Sequence, residues 1–63
     1  MATALKEIRL KKRMSQGELA EKSGITRQTI CAIERNPDYS ASVKTMQRLA
    51  DALGVPVKRL FLP

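Results

Sequence analysis

Apolar residues return at three- and four-residue intervals along this chain, the period of one helix face at about 100° per residue. The cleanest run is Val43, Met46, Leu49, Ala50 and Leu53, which predicts a helix over Val43–Leu53 with Lys44, Gln47, Arg48 and Asp51 facing out. Ser42 is placed to cap its start. Gly54 is placed to end it, because glycine takes the left-handed conformation past a last turn at little cost. Toward the N-terminus, Ala4, Leu5, Ile8 and Lys12 fall on one side, with Arg9 at the edge of that stripe. They predict a helix from Ala4 to about Arg13, with Thr3 as a candidate cap and most of the positive charge of KEIRLKKR on the outer face. Val57, Leu60 and Phe61 lie at i, i+3 and i+4, so a short last helix is expected, with Pro56 at its first position.

Between these segments lies SQGELAEKSGITRQTICAIE, residues 15–34, which reads as two short helices around a tight turn at Ser23, Gly24 and Ile25. Ser15 and Glu18 have the spacing of a capping box, in which each side chain bonds the other's backbone N–H. That starts a helix at Gln16, with Leu19 and Ala20 inward and Glu21 and Lys22 in water. Gly24 stops it, Ile25 plugs the turn, and Thr26 caps the next helix. On that helix Thr26, Thr29, Ile30 and Ile33 share one side. Arg27, Gln28, Cys31, Ala32, Glu34 and Arg35 share the other. The forked donors and acceptors of Arg and Gln match guanine and adenine edges in the major groove. An outward Arg27-Gln28 pair at the start of the second helix is therefore suited to reading DNA. The competing reading is an ordinary solvated face. Residues 35–41 are rich in turn formers.

The product is an all-α fold of five helices. Its expected core is Leu5, Ile8, Met14, Leu19, Ala20, Ile25, Ile30, Ile33, Val43, Met46, Leu49, Leu53, Val57, Leu60 and Phe61, with Met14 packing under the first two helices.

Length and charge narrow the function. A chain of 63 residues is one domain at most, residues 1–63. The net charge of +6 suits a polyanionic partner. One cysteine allows no internal disulfide, and the absence of histidine leaves no Cys/His cluster for zinc. No cofactor is therefore expected, and no small-molecule ligand. No apolar run approaches the roughly 20 residues that span a bilayer, and the charged N-terminus does not read as a signal peptide. A cytoplasmic location with no membrane partner is the expectation. Two aromatic residues, Tyr39 and Phe61, are too few for stacking on single strands. The six acidic residues form no catalytic pattern, and no histidine base exists for a nucleophile. An enzyme is not expected. Cys31 on the outer face is either a small residue that lets the helix approach the groove or a redox-sensitive thiol.

Ser15-Gln16 with Leu19-Ala20, the Gly24-Ile25 turn, Ile30, Ile33-Glu34 and the segment LADALGVPVKRLF together resemble the phage repressor and Cro proteins, the XRE-like family. The resemblance runs from about Leu5 to Phe61. It implies a lambda-repressor-like DNA-binding domain with a helix-turn-helix, acting as a sequence-specific transcriptional regulator and expected to repress. The residues assigned to DNA are Gln16, Thr26, Arg27, Gln28, Cys31, Ala32, Arg35, Asn36, Tyr39 and Lys44. Asn36 resembles the family's residue just past the recognition helix. Pro37 departs from the pattern and makes a left-handed Asn36 doubtful, since proline restricts the residue before it. Tyr39 either donates to phosphate or covers the core edge. An ion pair between Arg9 and Glu34 is expected beside the apolar stripes.

One recognition helix reads few base pairs, which is little specificity against a genome of competing sites. A homodimer on a near-palindromic double-stranded operator is therefore expected, closed by Val55, Pro56, Val57, Arg59 and Leu62. A DNA-binding antitoxin or a protein-interaction module on the same fold is the alternative.

Overall fold

The computed structural model describes residues 4–36 and 39–60. Four α-helices follow in order: α1 Leu5–Lys11, α2 Gln16–Ser23, α3 Arg27–Arg35 and α4 Val43–Leu53. The expected fifth helix is a four-residue 3₁₀ turn at Val57–Leu60. Helix α2 packs on both α3 and α4, α1 on α3, and the 3₁₀ turn on α4. The Ala4 amide donates to the Leu60 carbonyl at 2.8 Å, which ties the start of α1 to that turn. Among the described residues no helix is long and apolar enough to cross a membrane.

Local chemistry sets the helix ends. At α2 both halves of the capping box form: Glu18 N–H donates to Ser15 Oγ at 3.0 Å, and Ser15 N–H donates to Glu18 Oε1 at 3.1 Å. These bonds hold the Glu18 carboxylate below its usual range, the backbone N–H of Ser15 contributing most. Thr26 and Ser42 accept the amides of Thr29 and Thr45 in the same way at α3 and α4. Gly24 and Gly54 follow α2 and α4 at φ 74° and 72°. Ser23 is buried in the turn, where its hydroxyl donates to the Leu19 carbonyl and accepts from the Ile25 amide.

The core is Leu5, Leu19, Ile30, Ile33, Met46, Leu49, Ala50, Leu53 and Leu60, with Ile8, Met14, Ala20, Ile25 and Val57 packed partly buried against it. Val43 and Lys12, both expected inward, are exposed. Val43 is 78% exposed. It is the first residue of α4, so it projects from the open end of the helix, and the buried stripe starts only at Met46. Lys12 is exposed because α1 ends at Lys11, short of the expected Arg13. Arg13 then takes φ 57°. Its amide donates to Leu10 O at 3.0 Å and that of Met14 to Arg9 O at 3.1 Å. That pair of bonds is a Schellman cap with arginine in the glycine position. Thr3, Pro37, Phe61 and Leu62 lie outside the described residues.

Candidate nucleic-acid interface

The outer surface of α3 is built by what its inner surface must do. Ile30 and Ile33 are buried, so residues on the opposite side are turned away from the core. Arg27, Gln28 and Arg35 are exposed there. Cys31 and Ala32 are only half-exposed, because both are short and stand between longer side chains. Thr26 is also exposed, not inward, since its hydroxyl caps the helix, and Thr29 is half-buried. Asn36 closes α3 in extended conformation, φ −116°, ψ 104°, as the following proline requires. Its carbonyl accepts from the Tyr39 amide at 3.0 Å. Tyr39 lies at the surface, and Lys44 is exposed in the first turn of α4.

Behind this surface sits a buried charge network. Arg9 Nε donates to Glu34 Oε2 at 2.7 Å, and Arg9 Nη2 to Glu34 Oε1 at 3.0 Å, a bidentate pair. Arg9 Nη1 donates to the Met14 carbonyl at 2.7 Å. Gln16 Nε2 donates to Glu34 Oε1 at 3.1 Å. The side chains of Arg9 and Glu34 are 8% and 2% exposed. The bonds to Glu34 raise the Arg9 pKa above its ordinary value, against the desolvation that lowers it. One carboxylate thus fastens α1, the corner before α2, and the start of α2 to the C-terminal half of α3. The angle between α2 and α3 is fixed at two points, this network and the Gly24 turn. Glu34 belongs to the flank of α3, not to the outer face on which its helical angle alone would place it. Gln16, assigned to DNA from the sequence, is half-buried with one N–H committed to Glu34.

The surface assigned to dimer closure is divided. Pro56 and Arg59 are exposed, while Val55 and Val57 pack partly against the core. The core therefore absorbs more of this apolar segment than its composition suggests.

Two short helices joined by a glycine-centred turn, the second offering a polar and cationic outer face, define a helix-turn-helix protein. The family model described as helix-turn-helix matches residues 5–60, and the chain belongs to that family, of the XRE type. The chain is 46% identical over 54 residues to an uncharacterised HTH-type transcriptional regulator of Methanothermobacter thermautotrophicus, covering 86% of this chain and 77% of that one. It is 36% identical over 56 residues to the immunity repressor protein of Bacillus phage phi105, covering 89% of this chain and 38% of the repressor. To the HTH-type transcriptional regulator SinR of Bacillus subtilis it is 34% identical over 57 residues, 90% of this chain and 51% of SinR.

Proposed function

We propose that this protein is a sequence-specific, double-stranded DNA-binding regulator of transcription that represses by occupying its operator. The observation that carries the reading is the outer face of α3: Arg27, Gln28 and Arg35 exposed on a helix locked at a set angle to α2. In this reading α3 enters the major groove N-terminus first. Arg27 and Gln28 contact base edges, while Thr26, Cys31 and Ala32 line the approach. Arg35, Asn36, Tyr39 and Lys44 meet phosphates, together with the N-terminal amides of α2 and α4, which favour anions. Gln16 keeps one N–H on Glu34 and offers the other to phosphate. No cofactor or small ligand takes part, and the protein works in the cytoplasm.

Two copies related by a two-fold axis place their α3 helices one DNA turn apart, about 34 Å. The Val55-Pro56-Val57 segment with Arg59 closes that dimer. With much of the valine surface already used by the core, the interface is small and association completes on DNA. Sedimentation with and without a selected duplex tests this. Two subunits per duplex are expected. One subunit per duplex at saturation, on a non-palindromic site, would overturn the dimer.

A further inference from the structure

The corner between α1 and α2 carries three exposed cations in a row, Lys11, Lys12 and Arg13. Arg13 stands at φ 57°, and among the described residues it is the one non-glycine with positive φ. The turn requires that conformation. The bonds Arg13 N–H to Leu10 O and Met14 N–H to Arg9 O repeat those of Gly54 N–H to Asp51 O and Val55 N–H to Ala50 O after α4. Glycine occupies the position in one cap and arginine in the other. Neither cap bond uses the arginine side chain, so for the fold alone glycine is the better residue here.

The corner is also held in a particular place. Arg9, bound to Glu34 of α3, donates to the Met14 carbonyl, and Gln16 donates to the same Glu34. Residues 12–15 therefore sit at the edge of α3's C-terminal half, directly before the N-terminus of α2. The corner thus borders the helix whose outer face is read above as facing DNA. We propose that Arg13, with Lys12 beside it, contacts a backbone phosphate of the DNA, extending the interface beyond the helix-turn-helix. The proposal rests on the reading of α3 as the DNA-facing helix.

A glycine at this position separates fold from function, because it should move stability and affinity in opposite directions. In the full chain, Arg13→Gly should raise the melting temperature by several degrees, since the backbone strain is relieved. It should also weaken binding about eightfold at roughly 0.1 M salt, the loss of one phosphate contact at a slope of about 0.9. The loss should be equal on a selected and a scrambled duplex, with the salt slope reduced by about one. Arg13→Ala should lose the same affinity with little change in melting temperature, and Arg13→Lys should keep most of the affinity. Unchanged affinity in Arg13→Gly would overturn the proposal and leave the reading of α3 intact. A loss confined to the selected duplex would also overturn it, because that is base reading. Failure of the unaltered chain to bind any duplex would overturn the reading of α3 and this proposal with it.

Discussion

Removing one partner of the Arg9–Glu34 pair should destabilise the fold more than removing both. Neither side chain is more than 8% exposed, so a charge left alone does not regain water. Breaking a buried pair from one side costs about 3–5 kcal/mol. A chain of 63 residues has roughly 3–9 kcal/mol of stability in all, at about 0.05–0.15 kcal/mol per residue. Among the described residues, Arg9→Met leaves Glu34 with the single donor Gln16 Nε2 and strips the Met14 carbonyl of its partner, while Glu34→Leu leaves the guanidinium with Met14 O alone. Each change should therefore consume most of the stability. The double variant puts two apolar side chains in the same volume. Gln16 is half-buried and can turn its amide to water, so the combined loss should stay under about 2 kcal/mol. Urea unfolding followed by far-ultraviolet circular dichroism gives the free energies by linear extrapolation. A fixed concentration of an excluded osmolyte keeps the single variants folded at the start of each titration. If the two single losses summed to the loss in the double variant within about 0.5 kcal/mol, the pair would be uncoupled and the reasoning refuted.

Three further outcomes follow from local geometry. Gly24→Ala should cost about 1–2 kcal/mol, because φ 74° is left-handed and the added Cβ meets only ordinary contact, 3.5 Å from Arg48 Nη1; an unchanged denaturation midpoint would contradict this. Lys44→Ala should weaken selected and scrambled duplexes alike in a polarisation titration and reduce the salt slope by about one; a loss on the selected duplex alone would make Lys44 a base reader. Glu18 lies below its ordinary value of 4.5 when folded, so its support for α2 is full above that value and is lost as pH falls through the lower, folded one. Melting temperatures taken from about pH 6 to about pH 3 should fall less steeply for Glu18→Gln, and an identical slope would remove Glu18 from the account.

Features made within one turn of chain were legible in the sequence. The Ser15/Glu18 box, the Thr26 and Ser42 caps and the two glycine ends depend on residues at most a few positions apart, and all are present. Features that depend on what stands opposite were less so. A helical angle puts Val43 on the α4 stripe, but among the described residues it is left exposed at the helix start. The same angle puts Glu34 outside, whereas Arg9 and Gln16, 25 and 18 residues away in sequence, draw it to the flank. The ion pair itself was expected on family resemblance as well as on its place beside the stripes. Arg13 gave no sign of its conformation, because the usual marker of that cap is glycine. Ser23 could be placed at the turn, but its burial and its two bonds could not. Among the described residues the expected last helix is a 3₁₀ turn at Val57–Leu60.

Selection of bound sites from a random duplex pool tests most directly whether the outer face of α3 reads bases. The unaltered chain should enrich a two-fold symmetric site with half-sites about one turn apart. Arg27→Ala should enrich the same site with preference lost at one or two positions of each half, each contact contributing roughly 1–3 kcal/mol of discrimination. No enriched sequence, or the same preferences at full strength in the Arg27→Ala pool, would contradict base reading by that face.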